Sequence, residues 1–227
     1  MQFIAQQLNK VRESVAAAEL KYGREENTVK LLAVSKTRSV QEIQQVMEQG
    51  QLDFGENYQQ EACGKIEALA DQNITWHFIG PLQANKARYI AEHFAWVHSV
   101  DRLKIARRLS ALRPPNMPDL NICIQLNTSQ ESSKSGAADS ELMTLAECIA
   151  TLPGLRLRGL MTLPAPTSDF SEQRLGFHGL RSYFDQLVSA GHDVDTLSMG
   201  TTNDMEAAIA EGATMIRIGT ALFGSRT

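Results

Sequence analysis

Short apolar runs alternate with longer amphipathic stretches along the whole chain. Eight runs rich in Val, Ile, Leu and Phe have the length and composition of buried strands, at 29–35, 52–55, 75–79, 95–99, 120–126, 156–161, 195–199 and 214–218. The segments between them have a helical period, at 39–49, 57–71, 84–93, 101–112, 138–151, 170–190 and 203–211. Strands that are separated by helix-sized crossovers predict a parallel α/β fold.

The number of strands and the length of the chain favour a closed (β/α)8 barrel, or TIM barrel. The chain has 227 residues, and single α/β domains commonly reach roughly 200–250 residues, so residues 1–227 are predicted to form one domain. An open doubly wound sheet is the alternative, but its Gly-rich fingerprint is missing. Before the first strand, apolar residues at spacings of four and three predict an extra N-terminal helix: Ile4, Leu8, Val11, Val15 and Ala18.

Composition and charge exclude several classes of function for this chain. The net charge is −4, with both signs scattered, so we expect neither nucleic-acid nor membrane binding. No apolar run approaches the ~20 residues of a membrane-spanning helix, and the charged N-terminus does not resemble a signal peptide. The three cysteines form no CxxC, and the five histidines form no HxxxH or HExxH pair. These features predict a cytoplasmic protein with free thiols and no metal site.

The stretch LLAVSKTRSV (31–40) ends a buried strand with Lys36. In a barrel the active site lies at the C-terminal ends of the strands, which is where this lysine falls. Lys36 could simply start a loop in water, because lysines are rarely buried unless they are paired. It could instead be a Schiff-base lysine, because burial lowers the usual lysine pKa of about 10.4 and makes the amine nucleophilic. Such a lysine needs an aldehyde ligand.

A second candidate segment follows the seventh strand. Gly200, Thr201 and Thr202 precede a predicted helix that opens with Asn203 and carries Glu206, a capping pattern. A helix N-terminus can bind phosphate through its free N–H groups. Capping residues are common in any helix, so this pattern alone indicates little about function.

The eighth strand supplies the matching half of an anion site. Gly219 and Thr220 follow this strand, and loops after strands seven and eight are the usual phosphate site of a barrel. Arg217 lies two residues before Gly219 and therefore on the same face of the strand. A fixed charge among apolar neighbours at the barrel mouth requires a ligand or a carboxylate partner.

Seven motifs, in order along almost the whole chain, resemble the pyridoxal 5'-phosphate homeostasis proteins, the single-domain relatives of the alanine racemase barrel. These motifs are AVSKTR (33–38), FGENYQQE (54–61), WHFIGPLQANK (76–86), HSVD (98–101), RGLM (158–161), SMG (198–200) and RIGTALFG (217–224).

The resemblance implies a fold-type III barrel that binds pyridoxal 5'-phosphate as a covalent aldimine on Lys36. It also implies that Arg217 faces the pyridine nitrogen and that Asn57 lies near the ring. The implied phosphate contacts come from two loops: Gly219 and Thr220, with Ser198, Gly200, Thr201 and Thr202. An arginine cannot keep the pyridine nitrogen protonated, so the ring would be a weak electron sink.

One departure from the family falls inside the implied site. The family usually reads SMGMSDDM where this chain reads SMGTTNDM. Thr202 keeps a hydroxyl for the phosphate, and Thr201 changes the packing against the cofactor.

Elsewhere, His77 is interpreted as a hydrogen-bonded core histidine and Lys134 as a solvated lysine. Glu56 could contact Lys36 or begin the next helix.

Two functions follow from the resemblance. One is storage or delivery of pyridoxal phosphate to apo enzymes in the cell, without catalytic residues or substantial turnover. The other is a small racemase, which needs a second base from a partner's β-domain. Because the chain ends at Thr227 and its tyrosines lie outside the strand ends, the carrier is favoured. The missing β-domain also predicts a monomer. A Schiff-base aldolase would need an acid/base pair that the sequence does not indicate.

Overall fold

The strands close into a barrel. The computed structural model describes residues 2–128 and 135–224, and within these residues eight parallel strands pair in chain order. Their bounds are β1 (Lys30–Val34), β2 (Asp53–Glu56), β3 (Thr75–Phe78), β4 (Trp96–Val100), β5 (Leu120–Gln125), β6 (Leu155–Met161), β7 (Thr196–Ser198) and β8 (Met215–Ile218). Because β8 pairs with β1, the predicted (β/α)8 barrel is confirmed, and the open sheet is excluded.

Helices surround the barrel in the predicted order. Their bounds are α1 (Gln2–Lys21), α2 (Val40–Met47), α3 (Gln59–Ala68), α4 (Ala87–His93), α5 (Leu103–Leu112), α6 (Leu142–Ala150), α7 (Phe170–Ser189), α8 (Met205–Ala210) and α9 (Thr220–Phe223). Single 3₁₀ turns precede α4 and α6, at Ala84–Lys86 and Asp139–Glu141. The short helix α9 has no counterpart among the predicted elements, because it is a single turn that directly follows the last strand. No helix in the described ranges has the length and apolar character to cross a membrane.

Helix α1 is the predicted extra N-terminal helix. All five residues of its apolar stripe are buried, and Leu8 has no exposed surface. The helix packs against α2, α8 and α9, so it covers the seam where the last and first βα units meet. Burying a leucine completely stabilises a protein by about 1.5–3 kcal/mol, which explains why this stripe fixes the helix in place.

The strands separate two buried regions. Alternate residues of a strand face opposite sides; Trp76 and Phe78 of β3 pack into the large apolar layer between strands and helices. His77 between them is fully buried on the other face, inside the barrel. The interior contains a small apolar cluster of Trp96, Cys123 and Met161. Polar side chains fill much of the remaining interior, and they lead toward the C-terminal ends of the strands.

Candidate functional site

A cavity of about 300 Å³ opens at the C-terminal ends of the strands, at the small end of the range for ligand sites. Its described lining contains seven of the nine predicted site residues: Lys36, Asn57, Thr201, Thr202, Arg217, Gly219 and Thr220. Val34, Ile79, Leu163 and Asn203, which sequence reasoning did not single out as site residues, complete the lining. The remaining predicted residues, Ser198 and Gly200, lie behind it. Lys134 lies outside the described residues.

Lys36 follows β1 in a tight turn that is held on both sides. The Ser35 carbonyl accepts a hydrogen bond from Lys65 Nζ (2.7 Å), and the Thr37 N–H donates to Glu61 Oε1 (2.5 Å). Thr37 has a φ of 64°, a left-handed conformation that non-glycine residues seldom adopt. Such backbone strain clusters at functional sites, where the surrounding contacts maintain it. The two bonds from α3 supply those contacts and fix the half-buried Lys36 between them.

Behind this turn lies a buried ionic cluster of Ser35, Glu56, Glu61 and Lys65, here called the Lys65 cluster. Glu56 has no exposed surface, and its Oε1 accepts from Ser35 Oγ (2.6 Å) and Lys65 Nζ (2.8 Å). Burial raises the pKa of Glu56, while Lys65 and Ser35 act in the opposite direction. Glu56 therefore ends β2 as a partner of Lys65, and helix α3 begins only at Gln59.

Asn57 projects an unsatisfied acceptor beside the cavity. Its Oδ1 is buried and has no hydrogen-bond partner among the described residues. An unpaired buried polar atom costs about 1–3 kcal/mol, so a ligand proton at this position would be stabilising. Gly80 lets β3 approach this residue, because a Cβ at position 80 would lie 2.1 Å from the Asn57 carbonyl oxygen. This acceptor fits a ligand that carries a hydroxyl group.

The structure of the loop after β7 differs from the predicted capping pattern. Helix α8 begins at Met205, and Glu206 bonds to Lys21 and Tyr22 instead of capping the helix. Asp204 Oδ1 accepts from both the N–H (2.6 Å) and the hydroxyl (2.8 Å) of Thr201. The Asn203–Glu206 prediction was wrong because Asp204 is the N-cap of α8, which puts Glu206 one position too early for a capping box. Thr201 lines the cavity with both of these donors already used.

Thr202 connects the loop after β7 with the loop after β8. Its Oγ1 accepts from the Ala221 N–H (3.3 Å), which leaves the hydroxyl proton available for donation. Thr220 begins α9, in which the Leu222 and Phe223 N–H groups both donate to the Gly219 carbonyl. Gly200 allows the loop after β7 to pack closely against α8. Its φ is 95°, and a Cβ at this position would lie 2.6 Å from Ala208 Cβ.

Arg217 carries a buried charge to the floor of the cavity. Its guanidinium donates to the Ser198 carbonyl (2.5 Å), Ser198 Oγ (2.9 Å) and the Thr162 carbonyl (2.9 Å). Burial lowers the pKa of Arg217 to about 10, so it stays charged at neutral pH. All three acceptors are neutral, and the charge is therefore available to an anionic or electron-rich ligand.

Two contributors to the site escaped sequence reasoning. Lys65 and Glu61 hold the Lys36 turn, and their only sequence signal is a four-residue spacing on one helix. That spacing is typical of an exposed ion pair, whereas Lys65 is buried. Within the described chain, no group of three or more His, Cys, Asp or Glu side chains could hold a metal ion.

Comparison with known proteins defines the class first. Residues 7–227 match the family described as alanine racemase, N-terminal domain. The barrel superimposes on alanine racemase from Corynebacterium glutamicum with a TM-score of 0.71 and 16% identity, over 100% of this chain and 62% of the racemase. The chain therefore has the barrel of the alanine racemase class.

Closer relatives identify the particular family. The chain is 54% identical to the pyridoxal phosphate homeostasis protein of Pseudomonas aeruginosa, over 100% of this chain and 97% of that protein. It superimposes with a TM-score of 0.85 and 33% identity on PipY of Synechococcus elongatus, solved with PLP bound, over 97% of this chain and 100% of PipY. The chain belongs to the family of pyridoxal phosphate homeostasis proteins.

Proposed function

We propose that this chain binds pyridoxal phosphate in the cavity above β1 and β8 and serves in pyridoxal phosphate homeostasis, by storing or delivering the cofactor. The observation that carries the proposal is that one cavity is lined by Lys36, by Arg217 and by the loops after β7 and β8. The relative from P. aeruginosa and the PLP-bound PipY structure support the same ligand.

Lys36 is proposed as the covalent attachment point. Pyridoxal phosphate supplies an aldehyde, and condensation with Lys36 Nζ would form a C=N bond and release water. The Lys65 cluster supports this role, because it holds the backbone on both sides of Lys36. A preorganised amine loses less conformational freedom when the bond forms.

The remaining lining residues suit the two ends of the ligand. The Thr202 hydroxyl, together with Gly219 and Thr220 of the loop after β8, would bind the phosphate. Asn57 Oδ1 would accept a hydrogen bond from the hydroxyl group on the ring. Arg217 would face the pyridine nitrogen, and a charged arginine has no proton to lend it at neutral pH.

The composition of the lining supports a carrier with no substantial turnover. Among the described lining residues, Lys36 is the one side chain of a type that serves as a base, because Arg217 stays charged. The four tyrosines lie elsewhere: Tyr22 and Tyr183 bond to carboxylates, Tyr89 to the Cys63 carbonyl, and Tyr58 is exposed. A racemase needs a base on each face of its substrate, and this lining offers one.

Spectroscopy of the purified protein tests the attachment. Wild type should be yellow, and borohydride should fix a pyridoxyl adduct on the peptide that contains Lys36. Lys36→Ala should lose the adduct and remain folded, while Lys104→Ala, at an exposed position of α5, should behave like wild type. An adduct of equal yield in Lys36→Ala would refute the assignment.

Transfer and turnover are tested separately. Loaded protein should restore activity to an apo transaminase, at a rate that exceeds release into buffer alone if delivery is direct. The same protein should not racemise, decarboxylate or transaminate common amino acids. Turnover near 1 s⁻¹, at the low end for ordinary enzymes, would overturn the carrier proposal.

A further inference from the structure

A chain of hydrogen-bonded side chains crosses the barrel interior and ends at Arg217. Asp53 Oδ1 bonds to His77 Nε2 (2.9 Å), His77 Nδ1 to His98 Nε2 (2.9 Å), His98 Nδ1 to Ser198 Oγ (2.8 Å), and Ser198 Oγ to Arg217 (2.9 Å). We call these five residues the buried chain. Asp53 begins β2, at the end of the barrel opposite the cavity, whereas Ser198 ends β7 beside it.

The donors and acceptors of the buried chain have one consistent direction. Arg217 can only donate, so Ser198 Oγ accepts from it and turns its own proton to His98 Nδ1. A neutral His98 then carries its proton on Nε2 and donates to His77 Nδ1. His77 in turn donates from Nε2 to the Asp53 carboxylate. Every proton between the arginine and the aspartate is placed by this sequence.

Burial keeps the two histidines neutral, as this direction requires. Both rings are fully buried, and burial lowers the pKa of His77 and places that of His98 well below its usual value. The charge of Arg217 lowers the pKa of His98 further, and a proton on His77 would act in the same direction. Trp96 stacks on His77 with ring centres 5.4 Å apart, which restricts rotation of the ring.

We propose that Asp53, His77 and His98 are positioning residues that fix the orientation of Arg217 through Ser198. Ser198 Oγ can accept from Arg217 only while its own proton points away, and His98 supplies the acceptor that holds it there. Loss of that acceptor frees the hydroxyl to rotate and weakens one of the three bonds that fix the guanidinium plane. The proposed effect on cofactor binding rests on the function proposed above.

The first experiment uses apo protein and does not depend on the cofactor. Long-range ¹H–¹⁵N correlation spectra of protein labelled at histidine distinguish the two neutral tautomers. At neutral pH, both His77 and His98 should be neutral with the proton on Nε2. A proton on Nδ1 of His98, or a charged ring in either residue, would overturn the proposed direction of the chain.

The second experiment uses matched variants of buried side chains. His98→Phe and Ser198→Ala should each weaken pyridoxal phosphate binding at least tenfold and shift the absorbance band of the bound cofactor. Thr196→Val removes another buried hydroxyl from the same strand, outside the buried chain, and should change neither. His98→Gln restores an acceptor for the Ser198 proton and should recover part of the affinity.

The outcomes separate this proposal from the proposed function. Absence of binding in wild type would refute the cofactor assignment, and the tautomers would still test the buried chain. If wild type binds and folded His98→Phe shows wild-type affinity and absorbance, the chain is structural and the positioning role is overturned. Should His98→Phe fail to fold, Ser198→Ala decides by the same two readouts.

Discussion

Replacing Lys65 with methionine tests how the Lys65 cluster supports the turn that carries Lys36. The substitution keeps most of the apolar stem and removes the ammonium group, which donates to Ser35, Glu56 and Glu61. Glu56 then remains fully buried with the Ser35 hydroxyl as its hydrogen-bond donor. A buried carboxylate without a cation takes up a proton, so the cost of the substitution depends on pH.

An upper limit to the effect follows from the usual Glu pKa of 4.5, because burial already raises the pKa of Glu56 in the wild type. Protonating such a carboxyl costs about 1.4 kcal/mol for each pH unit above that value, hence about 4 kcal/mol at pH 7.5 and about 1.4 kcal/mol at pH 5.5. Breaking a buried ion pair costs about 3–5 kcal/mol, in agreement with the higher figure. In the variant the folded-state pKa of Glu56 lies above its unfolded value, so stability is retained at low pH and lost as pH rises.

Urea unfolding followed by circular dichroism at pH 5.5 and 7.5 measures this difference. Lys65→Met should lose about 3–4 kcal/mol relative to wild type at pH 7.5, and markedly less at pH 5.5. The double variant Lys65→Met/Glu56→Gln removes both charges and should regain at least half of the loss. Lys104→Met, at an exposed position, should stay within about 0.5 kcal/mol of wild type. A loss below about 1 kcal/mol at pH 7.5, or one equal at both pH values, would refute this account of the cluster.

Two further predictions address the anion site and the buried histidines. Thr202→Glu places a carboxylate where the phosphate is proposed to bind and should weaken pyridoxal phosphate binding at least tenfold, or about 1.4 kcal/mol; equal affinity in a titration would locate the phosphate elsewhere. Because the folded-state pKa values of His77 and His98 lie below the usual 6.5, wild-type stability should fall as pH decreases below 6.5, by up to about 1.4 kcal/mol per histidine per pH unit. Unfolding in urea from pH 7 to 5 measures this slope, which should be shallower in His98→Phe; an unchanged slope would contradict neutral burial of that ring.

The barrel was predictable because its signals are local. Each strand corresponds to a short apolar run, and the buried stripe of α1 corresponds to a helical period. Both patterns can be recognised without knowing the tertiary contacts. Lys36, Arg217 and the two loops could be placed at one end because parallel strands bring their C-terminal ends together. The cavity confirms that seven of these residues meet, while their contacts with the cofactor stay a prediction.

The remaining features depend on pairings that no local rule encodes. His98 and Ser198 are 100 residues apart, and they meet because the interior faces of β4 and β7 converge across a closed barrel. Glu56 and Lys65 lie on different elements, so their ion pair depends on how α3 packs against β2. The capping rule failed at Glu206 because α8 has Asp204 as its N-cap, so Glu206 is not three residues after the cap, and its carboxylate instead pairs with Lys21 of the distant helix α1.

The placement of charge around the cavity supports the proposal of a site that binds an anionic cofactor without substantial turnover. Lys36 and Arg217 belong to the described lining, which includes no carboxylate. The nearby acidic residues lie outside the lining. Glu56 and Glu61 pair with Lys65, and Asp204 accepts a hydrogen bond from Thr201. The lining thus carries the positive charge of Arg217 and no negative charge, which favours an anionic ligand. Because these acids lie outside the lining, they are poorly placed to take a proton from a bound amino acid, which supports the proposed retention of the cofactor without substantial turnover.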